Sequence, residues 1–131
     1  MNTKKAIALL LVLITALVVC VACANNNGER GAVTYRIKNN TLANFAIVIL
    51  REKNDKPQTW TITNMIPEQE GEFTIYTNLK DGAPNLEMKV TNQAGVEFSM
   101  DLNQKGNKLI TINPDADKPL DKLTAQVEDL K

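Results

Sequence analysis

Thiols, carboxylates and one indole make up the reactive inventory of this 131-residue chain, and imidazole is absent from it. Without histidine the commonest general base and the commonest transition-metal ligand are both missing. The two thiols, Cys20 and Cys23, stand three residues apart, and none follows between Ala24 and Lys131. No disulfide can therefore staple the downstream chain, and thiol chemistry there is excluded. Carboxylates are plentiful, but their spacing points to no reaction. Glu68, Glu70 and Glu72 lack the ligand pattern of a calcium loop and read as a solvated turn. Asp115, Asp117 and Asp121 read as the lead-in to a helix. Glu70, Glu72, Asp81 and Asp101 are the candidates for an acid–base pair in a small hydrolase, although spacing alone brings no two of them together. Trp60, the one tryptophan, fits core packing, with a recognition hot spot as its functional alternative. No cofactor and no metal site is expected.

What precedes the second thiol is an address. Lys4 and Lys5 form a short basic start, positions 6–19 are apolar except for Thr15, and small residues follow at Ala22, Cys23 and Ala24 before Asn25-Asn26-Asn27-Gly28. This is the layout of a secretory signal peptide, expected over 1–22. A membrane-spanning helix needs about 20 apolar residues and a basic stop; here neutral, turn-forming residues follow instead. Ala22-Cys23-Ala24 is also an A-x-A site for ordinary signal peptidase. Removal of residues 1–22 leaves 109 residues, enough for one small domain. Those residues carry 13 basic against 15 acidic side chains, a formal charge of −2. That balance provides no basic footprint for nucleic acid and no polybasic patch for anionic lipid.

Downstream, polar residues run to Gly31 as a flexible tether, expected over 23–32. Period-two alternation then recurs. Strands are predicted over 33–38, 45–50, 59–66, 72–76, 86–91, 96–102 and 108–113. Phe45 to Leu50 is apolar throughout and reads as a central strand buried on both faces. In 59–66, Trp60, Ile62 and Ile66 are expected on one side, opposite the threonines. Asn54-Asp55-Lys56-Pro57, Asp81-Gly82-Ala83-Pro84, Asn92-Gln93-Ala94-Gly95 and Gln104-Lys105-Gly106-Asn107 are the turns. Strands at this spacing predict an all-β antiparallel sandwich of about seven strands over 33–113. Beyond Pro114, Leu120, Leu123, Val127 and Leu130 fall at helical spacing. A short amphipathic C-terminal helix is predicted within 114–131, starting near Lys118, either docked on the domain or presenting those four residues to a partner.

The junction at Ala22-Cys23 resembles the signal of bacterial lipoproteins, in which a small residue precedes a cysteine that is lipidated and becomes the new N-terminus. Cys20 stands where leucine is usual in that pattern. The domain, over roughly 33–113, resembles small bacterial lipoproteins with one immunoglobulin-like β-sandwich. The residues that carry this are Tyr35-Arg36-Ile37-Lys38-Asn39-Asn40-Thr41, the loop from Ile66-Pro67 to Gly71-Glu72-Phe73, and the turn at Gly95. Leu42 departs from it, standing where a glycine is more usual. The resemblance implies a lipid on Cys23, with two or more acyl chains holding the chain to a membrane. It also implies a cell-envelope location, on the outer face of the cytoplasmic membrane or on the outer membrane; the missing catalytic constellation, set beside that location, points to a non-enzymatic binding or structural role. The expected partners are the membrane and an unidentified protein or envelope component. The alternatives are an inhibitor of an envelope protease or lysozyme, presenting residues 39–44 or 81–84, and the carboxylate hydrolase. For the hydrolase, a domain of this size is small for a substrate cleft.

Overall fold

The computed structural model describes residues 29–131. The expected signal helix, Cys23 and most of the expected tether lie outside the described residues. Among the described residues all regular structure is strand. The eight elements are β1 (Glu29–Asn39), β2 (Phe45–Glu52), β3 (Thr59–Met65), β4 (Glu70–Leu79), β5 (Leu86–Asn92), β6 (Glu97–Leu102), β7 (Lys108–Pro114) and β8 (Leu123–Asp129). They form two four-stranded sheets, ordered β4-β1-β7-β8 and β3-β2-β5-β6. Every ladder is antiparallel except that of β1 with β7.

Alternation builds the core. Val33, Tyr35 and Ile37 of β1, Phe73 and Ile75 of β4, and Ile110 and Ile112 of β7 point inward from the first sheet. Val48 and Leu50 of β2 and Leu86, Met88 and Val90 of β5 meet them from the second. Each such side chain, moved fully out of water, contributes about 1.5–3 kcal/mol before entropy is counted. Trp60, Ile62, Val96, Phe98 and Met100 flank this centre half-buried. The tight turn Asn92–Gly95 closes β5 onto β6 with Gly95 at φ 84°, a left-handed conformation that glycine adopts without strain.

Four expectations are corrected. The predicted C-terminal helix is strand β8, paired with β7 from Lys108↔Asp129 to Pro114↔Leu123. Residues 120–130 carry two periods at once. Leu120, Leu123, Val127 and Leu130 repeat helically, while Leu123, Ala125 and Val127 repeat by two. A helix of about 12 residues is marginal alone, whereas the strand covers the bare edge of β7 and buries Leu123. The expected helix start survives as a single turn: Asp121 and Lys122 N–H both donate to the Lys118 carbonyl. Second, strand pairing reaches Glu29 and Asp129, so the sandwich takes in residues assigned by pattern to the tether and the C-terminal segment. Third, Met65 rather than Ile66 enters the core. Asn64 adopts φ 55°, and between Ile62 and Met65 the inward-facing parity of β3 changes, while Met65 pairs with Phe45 in register with the rest of the β2–β3 ladder. The register shift between Phe45 and Ile47 lies in the β2–β5 ladder and inverts the parity of β2, so that Phe45 and Val48 both face inward. Fourth, β2 is central but one-sided: Phe45, Val48 and Leu50 are fully buried, while Ile47 and Ile49 lie half-buried on the outer face beside Thr61 and Thr63.

Candidate functional site

Strand direction gives the sandwich two distinct ends. Glu29 at the start of β1 lies opposite Leu79 at the close of β4, and Glu52 at the close of β2 opposite Leu86 at the start of β5. The entry end, from which β1 begins, therefore gathers loops 53–58, 80–85 and 103–107. The far end gathers loops 40–44, 66–69, 93–96 and 115–122.

At the far end the organising residue is Asn39, fully buried at the close of β1. Its amide nitrogen donates to the carbonyls of Ala43 (2.9 Å) and Met65 (3.0 Å). Its amide oxygen accepts from Thr41 N–H (3.1 Å) and lies 2.7 Å from the Thr41 hydroxyl. That hydroxyl also lies 3.0 Å from the Ala43 carbonyl, and its single proton serves one acceptor at a time. Backbone bonds tie the same loop to its neighbours. Asn39 N–H donates to the Gln69 carbonyl, Glu68 N–H to the Asn39 carbonyl, Asn40 N–H to the Ile112 carbonyl and Gln93 N–H to the Asn44 carbonyl. The loop is thus pinned from three sides, and at its apex stands Leu42, 100 % exposed. A leucine held fully in water on a hydrogen-bonded loop contributes nothing to the core. Two more exposed apolar residues share this end, Ile66 and Leu120, the latter 86 % exposed. The loop bearing Leu120 is also braced. The Asp115 carboxylate accepts from the N–H groups of Asp117 and Lys118, and these bonds, in that order, hold its carboxyl below the usual range.

The entry end has a cleft of about 210 Å³, lined among others by Glu52, Lys53, Thr77, Lys80 and Asn85. Glu52 accepts from the Thr77 hydroxyl (3.2 Å) and the Asn54 amide (2.6 Å), tying the two sheets together. It is the one carboxylate lining this cleft. Lys108 pairs with Asp129 nearby, and that ion pair holds the Asp129 carboxyl below its usual range.

The sequence-selected residues are dispersed. Cys23 lies outside the described residues. Trp60 sits on edge strand β3, half-buried against the core and paired with Leu50. Leu123 is 9 % exposed in the core, Val127 is 37 % exposed on β8, and Leu130 follows that strand with its N–H on the Asn107 carbonyl. With Leu120 on a loop at the opposite end of β8, the four make no common face. Among the acid–base candidates, Glu70 and Glu72 both reach Arg36, at 3.8 and 3.1 Å on an open strand surface. Asp101 pairs with Lys53 (3.1 Å), and Asp81 sits in a turn at φ 53° beyond the other end of β4. No cluster of three potential metal ligands occurs among the described residues. Pattern reading missed Leu42 as a surface feature, although its place among Asn39, Asn40, Thr41 and Asn44 marked an apolar residue at a turn apex.

The class defined by this layout is a two-sheet all-β sandwich. No family model and no curated protein matches the chain. Among solved structures it is similar to one titled "NMR structure of the protein from Eubacterium rectale", with a TM-score of 0.56 and 16 % identity over 76 % of this chain and 91 % of that one. That likeness is one of fold alone.

Proposed function

We propose that the protein is a non-enzymatic, membrane-tethered binding module of the cell envelope, lipidated on Cys23 and presenting the far end of its sandwich to a partner. The observation that carries this reading is the placement of Leu42: a fully exposed leucine on a pinned loop, at the end opposite the start of β1. A tether entering at Glu29 leaves that end free. The carboxylates weigh against the hydrolase reading, since Glu70 and Glu72 share a cation and Asp81 and Asp101 lie toward the other end. The finer immunoglobulin-like reading is supported by the order β3-β2-β5-β6, which follows strands C′, C, F and G of that fold, and by β1 and β4 pairing as its B and E do. The parallel β7 beside β1 departs from that pattern.

Metabolic labelling with a clickable fatty acid tests the anchor. Label is expected on the wild-type chain and lost in Cys23→Ala; an unlabelled wild type, or label that survives the substitution, ends the lipoprotein reading. The same constrained loop favours a second reading, an inhibitor that inserts residues 39–44 into the cleft of an envelope protease or lysozyme.

A further inference from the structure

Two four-stranded sheets leave four outer strands, β4 and β8 on one sheet and β3 and β6 on the other. An outer strand offers unpaired N–H and C=O groups to any second strand, and charged side chains are a common guard against that. Three of the four are guarded, each by two acids and no base: Glu70 and Glu72 on β4, Glu97 and Asp101 on β6, Glu128 and Asp129 on β8. β3 carries neither a charge nor a proline, and its run Thr59-Trp60-Thr61-Ile62-Thr63 consists of strand-favouring residues throughout. Its ladder with β2 runs from Ile47↔Thr63 to Arg51↔Thr59 without a bulge to twist the edge away. One bond fixes which groups are free. Glu52 N–H donates to the Gln58 carbonyl at 3.0 Å, so by alternation Trp60 and Ile62 turn their main-chain groups to β2, and Thr59, Thr61 and Thr63 turn theirs outward. These three residues are exposed, and no turn or loop bond among the described residues reaches their main-chain groups.

We infer that β3 is a pairing edge for a second copy of this chain, joined antiparallel about a two-fold axis at Thr61. Self-complementarity selects a second copy as the occupant. With Thr61 opposite Thr61 of the second copy and Thr59 opposite its Thr63, each residue pair exchanges two main-chain bonds and sets threonine against threonine, a favourable cross-strand pair. On the inner side Trp60 falls opposite Ile62 of the second copy. Both are half-buried in the single chain, so pairing removes more apolar surface from water. The same operation on β6, about Ser99, would set Glu97 against Asp101. Arg51, opposite Thr59 on β2, stays about 20 Å from its counterpart, beyond the Debye length of about 10 Å at 0.1 M salt. The loops that meet past the strand ends, 53–58 and 66–69 of the second copy, carry Lys53 and Lys56 against Asp55 and Glu68, a balance of charge. The two entry ends point in opposite directions, so an anchored pair lies with its strands along the membrane plane and a far end at each extremity.

Pairing at this edge does not depend on the anchor, and its register can be tested directly. One cysteine is placed on the purified full chain and a short bifunctional maleimide is added; the chain without an added cysteine sets the background. Thr61→Cys is expected to give a covalent dimer, whereas Ser99→Cys, on the guarded β6 edge, stays single. Thr59→Cys and Thr63→Cys each lie about 14 Å from their own counterparts in the pair, so each alone is expected to stay single. A mixture of the two, one of them epitope-tagged, should give a heterodimer at tenfold or more the yield of either alone. Thr61→Glu in both members of that mixture sets like charges face to face and should cut the yield tenfold or more, with the fold checked by circular dichroism. No dimer from Thr61→Cys, equal yields from the single and mixed samples, or a yield indifferent to Thr61→Glu overturns the inference. So does a Thr61→Cys adduct in whole cells that joins a different protein and forms no dimer, since the edge then belongs to another strand.

Discussion

Tyr35 and Asn39, four residues apart on β1, show how the same strand face can treat two polar side chains in opposite ways. Asn39 is fully buried and uses both its donors and its acceptor. Tyr35 is 1 % exposed and its hydroxyl has no hydrogen-bond partner among the described residues. A buried hydroxyl without a partner costs about 1–3 kcal/mol. Tyr35→Phe is therefore expected to be neutral or to stabilise by about 1 kcal/mol, raising Tm by roughly 4–8 °C in a domain of this size. Burial also pushes the Tyr35 phenol up to about 12, from 10 in water. The unfolded chain loses this proton first as pH rises, so it binds fewer protons than the folded chain between those values. Stability is full below pH 10 and declines toward pH 12 by roughly 1.4 kcal/mol per unit at most. Urea melts of wild type and Tyr35→Phe across that window check this, because only the wild type carries the phenol's share of the decline. A loss of stability in Tyr35→Phe at pH 7 would reveal a partner for the hydroxyl. Sequence marked Asn39 correctly as the end of a strand, because short amides favour turns. Its burial was not legible, since the acceptors it satisfies belong to Ala43 and to Met65, the latter 26 positions away.

At the scale of elements, sequence is most legible where one period stands alone. β5 and β6 alternate cleanly around an Asn-to-Gly turn, and they form the expected hairpin. Where two periods coincide, as in residues 120–130, the deciding term is the backbone need of a neighbour, and no local pattern contains it. The parity change at Asn64 is of the same kind: asparagine tolerates a positive φ but does not announce it. The β8 assignment makes a sharp claim about two residues that a helical face would treat alike. Leu123→Asp places an unpaired charge in the core and is expected to cost about 3 kcal/mol or more. Val127→Asp, on a strand surface already 37 % exposed, is expected to change stability by less than about 1 kcal/mol. Thermal melts of the two variants decide it, and equal losses would restore the helix. Removal of 120–131 should lower stability by exposing the β7 edge, with no change of oligomeric mass if β8 pairs only within its own chain.

The two ends of the sandwich are unlike, and the alternatives for its function divide at the far one. Leu42 and Leu120 lie in water there, and neither supports the core. Leu42→Asp should therefore leave the thermal midpoint in place, a surface change being worth within about 0.5 kcal/mol. Binding at this end should respond differently, because a partner seated there would bury Leu42 on a loop that needs no further ordering, and an aspartate in its place would have to be desolvated. Photocrosslinkers installed at positions 40 and 44 in whole cells would report the occupant of this end. A defined adduct is expected in the wild-type background, its loss in Leu42→Asp, and its persistence when Lys105→Asp is introduced at the opposite end. The inhibitor reading adds a stricter demand: the wild-type domain must slow a protease or lysozyme, and Leu42→Asp must relieve that inhibition by tenfold or more, the factor equal to about 1.4 kcal/mol of lost contact. Adducts that form without inhibition across such enzymes would leave a binding module in the general sense. If Leu42→Asp forms the adduct as well as the wild type does, the far end loses its claim to be the binding surface. The half-buried isoleucines of the outer β2 face, Ile47 and Ile49, would then be the apolar surface to test next.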